Sequence, residues 1–274
     1  MVFDAARGVT VLFGGKGQSS WLGDTWEWNG TSWTLAAASG PGERYNHAMA
    51  YDRERRMTVL FGGFQPAGAG TLGDTWEWNG SSWSLQSASG PPPRFASSLA
   101  YDAQRQVSVL FSGASSYSGI SGDVWEWDGV QWSFRGDGVV SPRQRHAAVY
   151  DSARGAVVLF GGFNGSLLLD TWRWDGTVWT PVGDIGPAVR VAHAMAYDSN
   201  RNVTVLAGGQ GASTLGETWE WDGTLWTYRH PYGLGKENAM VFDDHRNVAV
   251  LVTRSATWEW DGTNWTLRTQ TGPH

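Results

Sequence analysis

The chain has 274 residues, 41% hydrophobic and 17% charged, a composition that buries a core and does not describe a disordered polymer. Its net charge of −6 and pI near 5.5, with no basic stripe, argue against a nucleic-acid partner. The absence of cysteine excludes disulfides, thiolate metal sites and cysteine nucleophiles, and no run approaches the roughly 18 apolar residues of a membrane span. Met1-Val2-Phe3-Asp4 lacks the charged-then-apolar plan of a signal peptide, so a soluble protein is expected, cytoplasmic or secreted with its leader removed.

In chain order, Met1-Val2-Phe3 reads as the end of a strand and Asp4 to Arg7 as a turn. A glycine pair, Gly14-Gly15, closes the next apolar stretch. Trp26-Glu27-Trp28 follows, then Asn29-Gly30 and Trp33. The second copy is complete. His47 to Tyr51 alternates as a first strand, Asp52 to Arg55 turns, and Thr58 to Phe61 is a second strand ending at Gly62-Gly63. Thr75-Trp76-Glu77-Trp78 is a third strand with both tryptophans on one face. Asn79-Gly80 supplies the positive-φ residues of a tight hairpin into a fourth strand at Trp83-Ser84-Leu85. The triplet recurs at Trp125, Trp172, Trp219 and Trp258, at spacings of 50, 49, 47, 47 and 39 residues from the first copy onward. Each copy holds three tryptophans, so repeats account for all of the 19 except Trp21.

Four strands per repeat of about 50 residues predict an all-β, six-bladed β-propeller of four-stranded antiparallel blades. The glycine pairs (also Gly161-Gly162 and Gly208-Gly209), the aromatic third strand and the tryptophan opening the fourth resemble Kelch repeats, particularly the tryptophan-rich bacterial kind. The resemblance covers essentially the whole chain, read as one domain over 1–274 with approximate repeats 1–40, 41–90, 91–141, 142–188, 189–233 and 234–274. It implies ligands on the face where the loops after strand two and the linkers into strand one open. It does not choose among protein-interaction modules, sugar-processing enzymes and oxidases, although the missing cysteine argues against the copper-oxidase type.

Comparison among the six copies separates residues that build blades from residues that break the pattern. The Asp-x-x-Arg turns, Asp4/Arg7 to Asp243/Arg246, occur in all six and read as hairpin fasteners, and the eighteen repeated tryptophans read as blade structure. Acids precede the third strand (Asp24, Asp74, Asp123, Asp170, Glu217) and bases precede the first (Arg44, Arg94, Arg143, Arg190, and Lys236 as the nearest equivalent in copy six). Copy six lacks the acid and copy one the base. Pairing each acid with the base of the following copy therefore predicts a ring of inter-blade ion pairs, from Asp24–Arg44 through Asp170–Arg190 to Glu217–Lys236. His47, His146 and His193 share one repeat position. With no carboxylate set beside them they read as hydrogen-bonding residues at the strand entrance, and no metal or other cofactor is expected. The pattern-breaking residues of the binding face are Trp21, Phe64, Phe95, Tyr117, Phe163, Lys236 and Arg254, and with the three histidines they form the candidate ligand-binding rim. The loops after strand two (Lys16 to Leu22, Phe64 to Leu72, Ala114 to Ser121, Phe163 to Leu169, Gln210 to Leu215) are expected to vary most.

Met1 aligns with Met49 and Thr271-Gly272-Pro273 with the start of a linker, so the chain ends should meet between blades six and one, making that seam the weakest interface. The functional expectation is a monomeric, non-catalytic binding module for a protein or peptide. A carbohydrate-binding propeller is the alternative, and a Kelch-type enzyme acting on sialic acid or glucosinolate products is third. One continuous patch on the rim would mark the protein binder; several equivalent aromatic pockets between blades would mark the lectin.

Overall fold

The structure, a computed structural model, describes residues 1–17, 20–68, 70–116, 118–183, 185–231, 235 and 238–273. It is a ring of six sheets, each of four consecutive antiparallel strands, with the first strand nearest the axis and the fourth at the perimeter. No helix occurs among the described residues, so none is long and apolar enough to cross a membrane.

The second strands are apolar almost throughout because both of their faces are covered. Val59 and Phe61 of blade two point one way, into a cluster with Leu99, Tyr101, Leu110 and Trp127 of blade three. One blade on, Val109 and Phe111 pack on Val157, Leu159, Trp174 and Trp179 of blade four. Every second-strand residue thus serves either its own side or the next, which explains a continuous run where a half-buried strand would alternate. The fourth strands show the opposite pattern, with exposed residues at the outer edge. Their hairpins have Asn or Asp accepting two backbone N–H groups ahead of a positive-φ glycine, as at Asn79-Gly80 (Gly80 φ +93°).

The expected loops after strand two are paired for much of their length in blades one to four. In blade two, Gly63 pairs with Leu72, Phe64 with Thr71 and Gln65 with Gly70, beyond a register shift at Gly62. The irregularity read from the glycines is a bulge inside a longer hairpin. Gly62 is needed there: its φ is +63°, and a Cβ would lie 2.5 Å from the carbonyl oxygen of Arg94 in the next blade.

Neighbouring blades are joined by a repeated tryptophan bond. The indole N–H of the fourth-strand tryptophan donates to a threonine of the preceding blade: Trp83 to Thr25, Trp132 to Thr75, Trp226 to Thr171, Trp265 to Thr218 and, across the seam, Trp33 to Thr257, all at 2.8 to 2.9 Å. Blade three carries Val124 at the threonine position, and Trp179 Nε1 is accordingly buried without a partner. A second tie runs outside it, where each Asp-x-x-Arg arginine lies against the hairpin glycine of the next blade, from Arg7 on Gly80 to Arg246 on Gly30. The seam therefore has both side-chain ties. It also has an ion pair from Arg53 of blade two to Asp244 of blade six, passing blade one.

Nearer the axis, blades two to five are also joined through the backbone. The linkers into blades two to five each place a non-glycine residue at φ +53° to +56°: Asn46, Ala96, Arg145 and Ala192. Their peptide groups are bonded head to tail, Ala96 N–H to Asn46 O (2.8 Å), Arg145 N–H to Ala96 O (2.9 Å) and Ala192 N–H to Arg145 O (3.0 Å). Asn46 N–H finds no acceptor among the described residues.

Two measurements test this description. Val124→Thr should give Trp179 its acceptor and stabilise the protein by about 1 kcal/mol, read as a higher denaturation midpoint at unchanged m; an unchanged or lower midpoint would show that the orphaned indole costs nothing. In hydrogen exchange, the inner strands flanking the seam (Val2–Asp4 and Ala239–Asp243) should open before those of blades three and four (Ser98–Asp102 and Ala147–Asp151), and equal protection in all six blades would contradict this ranking.

Candidate functional site

The linkers that build the axial ring also define the mouth of the channel, and each is held by a buried arginine. Arg44 pairs through both terminal nitrogens with Asp74 (2.7 and 2.9 Å), Arg94 with Asp123 (2.5 and 2.9 Å) and Arg143 with Asp170 (2.7 and 2.8 Å), while Arg190 meets Glu217 at 2.6 Å. The predicted partners are therefore corrected: each base takes the acid of its own copy. Asp24–Arg44, Asp74–Arg94, Asp123–Arg143 and Asp170–Arg190 do not pair; Lys236, expected opposite Glu217, lies outside the described residues. The arginine backbone makes the inter-blade link. Arg94 N–H donates to Leu72 O and Arg94 O accepts from Gly63 N–H, both at 2.9 Å in the preceding blade, while its guanidinium grips its own blade. In blade six the carbonyl of Gly235 occupies the arginine position, accepting from Gly209 N–H at 2.9 Å, and Ala256 stands at the acid position. Both partners are absent there together, as pairing within a copy requires.

The arginine side chains are 0 to 2% exposed. Burial alone would raise the carboxyl pKa of Asp123, but hydrogen bonds and charge attraction from Arg94, with Ser121 and Trp125, overcome it and hold the group at about 2. Asp74, Asp170 and Glu217 are lowered by the same balance. Asp24 keeps the indole bond from Trp26 at 2.7 Å, but no cation pairs with it among the described residues.

Inside these clamps lies a cavity of about 580 Å³ at the channel mouth. Lys16, Trp21, Tyr45, His47, His146, His193, Arg145 and Arg254 are among the residues lining it. Of the predicted rim residues, Trp21 and Arg254 thus stand at the cavity with the three histidines. Phe64 and Phe95 continue outward from it. Trp21 stacks on Tyr45 (4.6 Å, 18°), Tyr45 meets Phe64 (5.6 Å) and Phe64 meets Phe95 edge-on (5.6 Å), giving one half-buried aromatic strip across blades one to three. Lys16 lies over the Trp21 ring at 5.2 Å. Phe163 occupies the corresponding bridge position in blade four, opposite Gln144. Tyr117 lies outside the described residues. Tyr45, not singled out from the sequence, aligns with Phe95 immediately after the linker arginine, which was the available signal.

The histidines wedge between blades, each edge-on to a phenylalanine of the preceding blade in the repeat: His47 on Phe13, His193 on Phe160, and His146 on Phe111. Burial lowers all three pKa values, that of His193 to about 3, with the nearby linker arginine adding to it, so the imidazoles are neutral. His146 Nε2 lies 2.8 Å from Ser98 Oγ, and the backbones of Phe111 and Phe160 face the His146 and His193 rings and partly offset the lowering. Among the described residues no three His, Cys, Asp or Glu side chains are placed to hold a metal ion. The opposite mouth, about 230 Å³, is lined by Phe3, Tyr51, Tyr101, Tyr150, Tyr197 and Phe242, one aromatic per blade. Burial, then the aspartate of the preceding blade, pushes Tyr51 and Tyr150 up to about 12.

Compared with protein-family models and with curated proteins, the chain gives no match.

The Arg94–Asp123 clamp carries a pH signature. The folded pKa of about 2 lies below the ordinary 3.8, so the contribution of Asp123 is complete above about pH 4 and is lost as pH falls through about 2. Arg94→Met should cost about 3–5 kcal/mol at neutral pH, because it strands a buried carboxylate, and should flatten stability against pH between 4 and 2; an unaltered acid limb in urea melts would show that the pair is energetically idle.

Proposed function

We propose that the chain is a Kelch-type propeller serving as a non-catalytic binding module, which receives an extended segment of a partner protein across the channel-mouth face. The Kelch assignment is supported by the paired glycines at the end of the second strand, the first of which admits the next blade's linker, and by the fourth-strand tryptophan that bonds back to the preceding blade. The observation that carries the function is the continuous strip Trp21–Tyr45–Phe64–Phe95, running from the rim into a cavity large enough for several side chains. Rigid, partly exposed aromatics beside a polar recess are what interface anchors consist of. A single patch on one side of the mouth also suits one asymmetric partner better than six identical small ligands.

A carbohydrate reading has its own support. The first tryptophan of each triplet is only half-buried, and beside it at the outer edge stand the exposed Leu35, Leu85, Phe134, Tyr228 and Leu267. Such repeated platforms suit stacking on sugar rings.

Selection of a displayed random-peptide library on the immobilised protein, run beside a glycan array, separates the two. The peptide reading expects enriched peptides whose binding falls at least about tenfold in Trp21→Ala and in Phe64→Ala. Glycan binding that survives both substitutions, with no enriched peptide, would replace it with the carbohydrate reading.

A further inference from the structure

We propose that the interface between blades four and five holds a carboxylate-binding cell, away from the channel mouth, which takes a propionate-like acid group from outside the chain. The repeat supplies the first argument, since one cell recurs in every blade and is filled in five of the six. The central glutamate of the triplet pairs with the Asp-x-x-Arg arginine of its own blade. Glu77 meets Arg55 at 2.6 Å and Glu220 meets Arg201 at 2.7 Å, with the same pair in blades one, three and six. In three cells a tryptophan of the following blade adds its indole N–H: Trp127 to Glu77 and Trp260 to Glu220 at 3.1 Å, and Trp28 to Glu259 at 3.4 Å. In four of the five the carboxylate side chain is only 1 to 3% exposed. Guanidinium and indole donors around a buried acid are thus what this position is shaped to provide.

Blade four keeps the donors and loses the acceptor. Arg173 takes the glutamate's place: it lies opposite Val158 and Thr180, as Glu77 lies opposite Val59 and Ser84. Cross-strand partners share a face, and Val158 packs against Trp221 of blade five, so Arg173 looks onto the indole that elsewhere bonds the acid. Trp221 is 2% exposed and Arg173 half-buried. Among the described residues, neither the Trp221 N–H nor the Arg173 guanidinium reaches an acceptor. Arg154 lies over the same Trp221 ring, 5.8 Å from its centroid. Val182, packed in this cluster with Val158, offers an apolar wall for the methylenes of an incoming acid.

The neighbouring carboxylates are already engaged. Asp151 pairs with Arg154 at 2.6 Å, and Asp222 accepts the N–H groups of Thr224 and Leu225 at its hairpin, at 2.8 and 2.9 Å. Arg173 is therefore a cation partly withdrawn from water beside other donors, a cost that an anion relieves. The tryptophans of blade five also depart from the repeat here. The Trp221 and Trp226 centroids lie 6.3 Å apart, against 5.4 to 5.6 Å for the corresponding pair in the five other blades. The glutamate side chain that fills the other cells is chemically a propionate. A free organic acid and an acidic side chain of another protein both present that group, a flat two-oxygen acceptor on a flexible stem.

The test has two arms. First, the isotope-labelled protein is titrated with sodium propionate and, at matched ionic strength, with sodium chloride plus neutral propionamide, following the Trp221 indole N–H. The cell predicts a saturable shift with propionate alone, weakened at least about tenfold in Arg173→Gln, whose melting temperature is checked against the parent. Arg173→Glu supplies the acid from within the chain, so it should abolish the propionate response and raise the melting temperature. Absence of a shift, equal shifts in the two titrations, or a propionate response that survives both substitutions overturns the site. Second, glycyl-glutamyl-glycine blocked at both ends is titrated in the same way. A response to this peptide as well as to propionate supports the site and assigns it to an acidic side chain of another protein. A response to propionate alone supports the site and assigns it to a free organic acid.

Discussion

The architecture rests on one buried side chain per linker. The arginine that begins the approach to the axis has its backbone on one blade and its guanidinium on the next, so it fixes both the distance between the blades and the path of the chain between them. Taking a guanidinium out of water is costly, and the cost is met only because two carboxylate bonds and a strand-end carbonyl, as Gly62 O provides for Arg44, satisfy it together. Those acceptors all belong to the arginine's own blade, so the clamp fixes the linker onto that blade while the arginine backbone bonds fix the blade to its neighbour, and the positions of the axial ring, the histidines and the rim aromatics follow from it.

The outer ties are graded against this inner one. The tryptophan–threonine bond is neutral and tolerates a loss, as Val124 beneath Trp179 shows. The Asp-x-x-Arg arginines rest on glycines of the following blade and usually reach the central glutamate of their own triplet, as Arg55 reaches Glu77 at 2.6 Å. Blade four, where Arg173 replaces that glutamate, shows what happens when the partner changes sign. Arg154 turns away to Asn202 O and Asp222 O and lies over the Trp221 ring at 5.8 Å, so it still bridges to blade five.

The fold could be read from the chain because eighteen of the tryptophans, the glycine pairs and the Asp-x-x-Arg turns are properties of one blade written six times. Each acts locally, or between neighbours in a fixed direction. The ion pairs could be recognised as a set, but their partners could not. The acid and the base alternate along the chain, so Asp24 and Arg44 are as plausible from spacing as Arg44 and Asp74; only the crossing of the linker from perimeter to axis decides. The bulged hairpins after strand two were hidden because glycine reads equally as a loop or as a bulge. Least visible was the axial ring. Its members Asn46, Ala96, Arg145 and Ala192 share a backbone conformation and no side-chain character, and hydrogen bonds between peptide groups leave no residue type to recognise.

A ring that closes on itself has no ends, and its peptide dipoles circulate without a pole. The peptide groups of Asn46, Ala96, Arg145 and Ala192 form an arc among the described residues, and each of its three hydrogen bonds runs from an N–H to the carbonyl of the lower-numbered blade. Their dipoles therefore add along the arc, as they do along a helix, and leave fractional positive charge at its Asn46 end. The arc so gives a nearly symmetric molecule a direction about its axis, with the electropositive end beside the aromatic strip.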